Sequence, residues 1–531
     1  MAETYGNSRS TSGTALRTKD TTPCSGMCPI CIEGCPVLCE ISKSAFRGRE
    51  VLYPDPSYFG QSTAASCKDY MLDWSDFQIM VDVRSTKGIE ANSDKALFTN
   101  VKIDTKVGGV PISVPVTIAG LGSTAVAKRN WDGLAVGAAI SGTIQVIGEN
   151  VCGMDPKAKF DAQGKVTYSE DLKYRVDTYR KFWDGKHGDI VVQTNVEDQR
   201  NGTDVYALSS LEVNVIERKW GQGAKAIGGE VRITDLEKAL MLKKRGYLVQ
   251  PDPEDPAVQE AFKNKVFESF ERHSRVGMVD EHAFLEDIDW LRSQGAKKIF
   301  LKTGAYRPIV VALTMKLASE AKIDMLTFDG AGGGTGMSPV PMMNECSTPT
   351  VYLEAQVLKC AQILKKKNKH VPDILMAGGF TNEAQIFKSI AMSGFEGSKP
   401  LVKGVATGRS PITAVMKSKY FVELAKKDAL PKNFAAMYGN RPEQFFIANT
   451  ELKERFGAEA AKLPWEAVGL YTYFTDRIGV GLQQLMAGSR KWNLNLLERS
   501  DIASISETAK RVTGIPLMDE LDQDAMVKML E

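Results

Sequence analysis

Five cysteines crowd near the amino end as Cys24-x3-Cys28-x2-Cys31-x3-Cys35-x3-Cys39, with a proline after both Cys28 and Cys35. Thiolates about one tight turn apart are ligands for a soft metal centre. Gaps of two and three residues ending in Cys-Pro are those of an iron–sulfur run, which predicts a cluster, 4Fe-4S in type, held by Cys28, Cys31 and Cys35. Cys24 precedes Cys28 by three residues where that run has two, so the fourth ligand stays open among Cys24, Cys39 and the more distant Cys67. Four thiolates also satisfy a closed tetrahedral zinc site. Disulfides fit less well, because crowded cysteines do not staple a long chain.

A second constellation is the turn from Asp329 to Pro339, with glycine at 330, 332, 333, 334 and 336, directly after the apolar run Ile323 to Phe328. Removing side chains where a strand ends lets backbone amides approach a flat or phosphorylated ligand, and the turn reads as the floor of a cofactor site around Gly333, Gly334 and Thr335. The plainer alternative is a surface linker. Lys302 closes the apolar run Phe300-Leu301-Lys302 and is suited to stabilising negative charge on a reduced cofactor. Ala119-Gly120-Leu121-Gly122-Ser123 is small enough to lie against a flat ring, though tight strand-to-helix packing would call for the same residues.

The elements that must carry these groups alternate from about residue 106 between short β-branched runs and longer mixed segments, the pattern of parallel β/α units. Eight strands are predicted: Val116–Gly120, Ile144–Gly148, Ile190–Thr194, Leu211–Ile216, Lys298–Lys302, Met325–Asp329, Ile374–Ala377 and Val402–Ala406. The expected fold is α/β, a closed (β/α)8 TIM-type barrel with reactive groups beyond the carboxyl ends of its strands; an open doubly wound sheet is the alternative. Residues 1–105 form an amino-terminal extension with the cysteine segment at 24–39, 106–411 the barrel, and 412–531 a helical tail packed on it. The stretches 153–187 and 235–296 are too long for simple connections and should hold inserted helices. In such a barrel the phosphate end of a cofactor is expected at Gly378 and Gly379, and at Gly404 with Thr407 and Gly408, where Arg409 could add a charge.

Lys and Arg total 67 against 65 Asp and Glu, a net charge of +2, so no overall field recruits nucleic acid or an anionic membrane. No apolar stretch reaches the roughly 18 residues that a spanning helix needs, and Met1 to Asp20 is polar, which predicts a cytoplasmic protein. The four histidines have no ligand spacing and receive no role.

Three motifs in order resemble the flavin-binding catalytic domain of glutamate synthase: Gln222-Gly223-Ala224-Lys225 with Gly228-Gly229-Glu230, the turn from Asp329 to Pro339, and Gly378-Gly379. Gly148-Glu149-Asn150, Gln193, Arg200, Leu485-Met486-Ala487 and the run Leu497 to Asp501 are weaker echoes, so the resemblance covers about residues 110–501. It implies FMN in the barrel mouth, contacted by Ala119, Gly120 and Gln193 besides the glycine loops. Lys225 resembles the family's substrate lysine and Glu149 its partner at the reacting carbon, with Gln222 and Arg200 as further substrate residues. The family's cysteine-rich segment after the eighth strand is missing, since no cysteine follows Cys360, and the amino-terminal run would replace it.

The implied reaction passes electrons from the cluster through FMN to 2-iminoglutarate, formed from 2-oxoglutarate and ammonia, giving L-glutamate. A ferredoxin or a reductase subunit would supply the electrons, and an oligomer is expected. The chain begins Met1-Ala2-Glu3, without the nucleophilic cysteine that opens an amidotransferase domain, so ammonia is expected free or from a separate amidotransferase subunit. Two other functions share these residues: an FMN oxidoreductase acting on another keto acid, an amine or an N-methylated amino acid such as N-methylglutamate, and a noncatalytic electron-transfer or assembly subunit.

Overall fold

The computed structural model describes residues 65–531 except 67, 222, 224–229 and 335–337, together with 45, 46, 48, 52 and 53. The cysteine segment Cys24 to Cys39, Cys67, Gln222, Lys225 and Thr335 therefore lie outside the described residues.

Eight parallel strands close into a barrel: β1 Val116–Leu121, β2 Gln145–Ile147, β3 Ile190–Thr194, β4 Val215–Lys219, β5 Lys298–Thr303, β6 Met325–Asp329, β7 Asp373–Ala377 and β8 Val402–Thr407, with β8 pairing back to β1. Both faces of each strand are covered, which is why the runs read as nearly continuous apolar stretches in sequence. Alternate side chains nevertheless separate. Val191, Val215, Phe300, Met325 and Leu375 fill the inside, while Val192, Ile216, Leu301, Leu326 and Ile374 pack outward among the helices. The open doubly wound sheet is thereby excluded.

The floor of the barrel is plugged by the antiparallel hairpin Thr105–Val107 and Val110–Ile112, whose Val107, Val110 and Ile112 join the inner core. Its turn is tied to the amino ends of β5 and β7, because Lys298 Nζ donates to Gly108 O at 2.8 Å and Gly108 N donates to Asp373 Oδ2 at 2.9 Å. With that end sealed, only the carboxyl end of the barrel is left for a ligand.

β4 runs on through Glu217, Arg218 and Lys219, past the Ile216 at which sequence ended it. Charged residues read as loop, yet each of these finds a partner in burial. Arg218 donates to Asp204 at 2.6 Å, to Asp287 at 2.6 Å and to Thr194 Oγ1 at 2.8 Å. Both long connections hold helices, as expected, and also strands that periodicity did not show. A short hairpin, Lys159–Phe160 with Val166–Tyr168, precedes the helix Glu170–Arg180. After β4 comes a three-stranded antiparallel sheet of Glu230–Ile233, Phe270–His273 and Leu248–Gln250, with the helices Leu236–Lys244 and Pro256–Lys263.

The carboxyl-terminal region is helical and packs on the barrel, with Trp465–Tyr471 lying against the helix Trp131–Ile140. The chain closes on itself where Phe77–Ile79 pairs antiparallel with Ile502–Ser504. Among the described residues no helix is long and apolar enough to cross a membrane.

Glu354, on the helix Thr350–Lys366, is fully buried with Ser389 Oγ donating to it at 2.7 Å, and burial pushes its carboxyl well above the ordinary range. A folded-state pKa raised above the unfolded one means stability that is complete in acid and declines as pH rises from the ordinary carboxyl value toward the folded one. Glu354→Gln is expected to flatten that decline, measured as urea midpoints between pH 5 and 9.

Candidate active site at the barrel mouth

Charged side chains from three strands and from the loop after β2 meet at the carboxyl end of the barrel. Lys302, at the end of β5, pairs with Asp329 Oδ2 at 3.2 Å, and both are buried. Burial opposes the charge on Lys302, but Asp329 and Glu217 outweigh it and hold its pKa above the ordinary lysine value. Lys219, ending β4, lies 2.6 Å from Glu149 Oε1, which follows β2. Burial raises the Glu149 pKa, yet the charge and hydrogen bond of Lys219 prevail and keep it below the ordinary carboxyl value. The site therefore holds two ion pairs, Lys302 with Asp329 and Lys219 with Glu149.

Beneath them Gln193 Nε2 donates to Glu217 Oε1 at 2.5 Å. Burial raises the Glu217 carboxyl, while Lys302, Gln193 and Lys219 pull it down. A cavity of about 10 Å³, at the lower limit for one water molecule, lies among the inner side chains with Glu217 and Lys302 on its wall. Gln193 Oε1 is buried without a hydrogen-bond partner among the described residues. A buried amide oxygen left unpaired is costly, and a ligand N–H would satisfy it.

The glycines make room above this layer. A β-carbon on Gly120 would come 2.7 Å from the Gln193 amide oxygen, and one on Gly148 would come 2.5 Å from Gly122 N. The first loop is held from outside by Arg175, whose Nη1 donates to Leu121 O at 3.1 Å and Gly122 O at 2.9 Å. After β6, a β-carbon on Gly333 would strike the Asp329 carboxylate, and one on Gly332 would strike Gly378 O. Gly378 and Gly379 have φ of +115° and +99°, which side-chain-bearing residues rarely adopt. Arg409 Nη2 donates to Gly332 O at 2.9 Å and so closes the glycine loop from the β8 side. Gly408 caps the 18-residue helix Arg409–Lys426 without a side-chain cap bond, and the space where its β-carbon would be is open. An open helix amino terminus beside two glycine loops fits a phosphate.

The structure thus brings together Glu149, Lys302, Gly120, Gln193 and Gly333 at the mouth, with Ala119 on the cavity wall. Gly334 belongs to the same loop after β6 and Gly408 to the one after β8. Thr407 donates to Thr117 O at 3.3 Å, a bond between neighbouring strands. Gly404 is placed otherwise than sequence led us to expect. It sits within β8, where a β-carbon would come 2.5 Å from Pro115 O just before β1, so close strand packing near the barrel floor accounts for it. Arg200 bonds Glu197 at 3.3 Å and Arg245 O at 3.0 Å, fastening the inserted segment to the helix Val196–Asn201. A β-carbon on Gly223 would strike Gly330 O, so the loop after β4 packs against the glycine loop at that point.

Sequence reasoning missed Lys219, Glu217 and the ion-pairing role of Asp329. Ending β4 at Ile216 removed the first two from the barrel. An Ile-Glu-Arg-Lys run before a glycine turn was the available signal. Among the described residues no group of three or more His, Cys, Asp or Glu side chains could hold a metal ion.

Comparison with curated proteins returned no match. Among solved structures, the chain is similar to a doubly substituted flavocytochrome b2 with sulfite bound, at 12% identity, 82% coverage of this chain and 78% of that one, and a TM-score of 0.44. A soluble mutant of the membrane-associated (S)-mandelate dehydrogenase from Pseudomonas putida gives 14%, 81%, 88% and 0.43. A mandelate oxidase mutant with the monooxide FMN adduct gives 10%, 79%, 86% and 0.41. Likenesses this shallow carry no inference about ligand or reaction. A family model described as the conserved region in glutamate synthase matches residues 269–399, which contain Lys302, Asp329, Gly333, Gly378 and Gly379. That match runs through β5, β6 and β7, so this side of the barrel is similar to the conserved region in glutamate synthase.

Proposed function

We propose that this protein is a glutamate synthase-type flavin oxidoreductase that reduces 2-iminoglutarate, formed from 2-oxoglutarate and ammonia, to L-glutamate. The observation that carries the reading is the pair of ion pairs, Glu149 with Lys219 and Lys302 with Asp329, facing one barrel mouth whose β5–β7 side matches the glutamate synthase region.

The mouth fits FMN: glycine loops leave room for a flat ring and a phosphate, and the buried Gln193 Oε1 has no donor among the described residues. Ala119, Gly120, Gln193 and Gly333 would line the ring end, and Gly378, Gly379 and Gly408 the phosphate end. Bound and reduced, FMN supplies hydride chemistry. Lys302, buried and held charged by Asp329 and Glu217, would stabilise negative charge on the reduced cofactor in a dry site. Lys219 offers an ammonium to a substrate carboxylate, and Glu149 holds that ammonium in place. The five thiolates Cys24, Cys28, Cys31, Cys35 and Cys39 are a donor set suited to an iron–sulfur cluster, which would take one electron at a time from a ferredoxin-like donor or a reductase subunit. In this reading the enzyme works in the cytoplasm, with ammonia free or delivered by a separate amidotransferase.

Anaerobically purified protein is expected to be yellow-brown, with one FMN per chain, iron in the same preparation and a paramagnetic signal on reduction. It should form L-glutamate from 2-oxoglutarate, ammonia and reduced ferredoxin. Replacing ammonia with methylamine tests the N-methylglutamate alternative. A colourless protein without flavin or iron would overturn the proposal.

A further inference from the structure

Behind Glu149 lies a cluster of buried polar groups contributed by three elements. Asn150, the next residue, is left-handed at φ 66° and opens the short helix Val151–Met154. Its N–H donates to both carboxylate oxygens of Asp198, at 2.9 and 3.1 Å. Asp198 is completely buried on the helix Val196–Asn201. Its oxygens also accept from Asn195 N at 3.3 Å and from Thr203 Oγ1 at 3.4 Å. No cation pairs directly with Asp198 among the described residues. On the far side of the same peptide, Gly122 and Gly148 are in close contact, and a β-carbon on Gly122 would strike Glu149 O. The Glu149–Asn150 peptide is therefore clamped between two glycines and one buried carboxylate.

We infer that Asp198 is a positioning residue for Glu149: its two-oxygen grip on the Asn150 N–H sets the left-handed turn that aims the Glu149 carboxylate at Lys219. It touches neither of those charged groups through its own bonds and acts through the backbone. The inference rests on the reading that Glu149 and Lys219 face the substrate.

The grip responds to pH. Burial pushes the Asp198 carboxyl up to about 7, the N–H groups of Asn150 and Asn195 oppose that rise, and Glu149 and Asp204 add to it. Cys152, Tyr247 and Arg272 share its environment from the other packed elements, and Glu197 adjoins it in the chain. Protonation turns one acceptor oxygen into a hydroxyl, so the two-oxygen grip is complete only above that range.

Two measurements test this. In selectively asparagine-labelled protein, without substrate, the Asn150 amide resonance is expected to titrate with a midpoint near 7. In turnover, Asp198→Asn should lower kcat about tenfold to a hundredfold, as misplaced groups do, and remove the acid limb of the wild-type pH profile. In a Glu149→Gln background the same change should cost less than about twofold, because its effect passes through Glu149. An Asn150 amide that stays flat across pH 5.5 to 8.5, or losses that multiply in the double variant, would overturn the inference. A wild type that forms no glutamate would sink the functional reading and leave the amide titration to decide this one.

Discussion

Glu149→Gln is expected to lower glutamate formation about a hundredfold, the cost of misplacing a group that positions the substrate, while FMN content stays at the wild-type level. Glutamine has nearly the shape of glutamate but carries no charge, so it removes the negative charge 2.6 Å from Lys219 without opening a cavity. Because Lys219 holds the Glu149 pKa below the ordinary carboxyl value, the wild-type residue is ionised throughout neutral pH, and the defect should not be rescued by raising the pH. Flavin-to-protein ratios with single-turnover glutamate yields provide the check. Wild-type yields from a fully flavinated variant would remove Glu149 from the chemistry.

Lys302→Met is expected to be the most damaging change to the fold of the site. It leaves Asp329 and Glu217, which are 6% and 2% exposed, without the cation they share. Removing one member of a buried pair costs on the order of 3–5 kcal/mol, most of it from stranding the other charge. The urea midpoint should fall and FMN be lost together. Lys302→Met combined with Asp329→Asn should recover much of the midpoint but not the flavin, which separates charge burial from cofactor support. The sign with pH follows from the raised pKa of Lys302. Its contribution is complete below the ordinary lysine range and lost only as pH climbs through the folded value, so the defect should be constant from pH 6 to 9. A variant with unchanged midpoint and full flavin would show that Lys302 is not the keystone of the mouth.

The barrel was legible because its signal is local and repeated. Val-Val-Gln-Thr in β3 and Leu-Thr-Phe-Asp in β6 are each buried on both sides, and such runs separated by helical spacers have few other ways to bury themselves. Lys302 was legible for the same reason, as a polar residue ending an apolar strand. Lys219 was not. Its strand ends in three charged residues, and contacts with Glu149, Gln193, Asp204 and Asp287, distant in the chain, make burying them tolerable.

Residue types and spacing by themselves determined the eight-stranded frame and the glycine loops at its open end, since each depends on neighbours within a few positions. Tertiary structure alone decided which charges pair across the mouth, that Gly404 packs closely against Pro115, and that a buried aspartate grips the turn behind Glu149. Those outcomes depend on burial and on the charge of residues tens of positions away, and no local pattern encodes either.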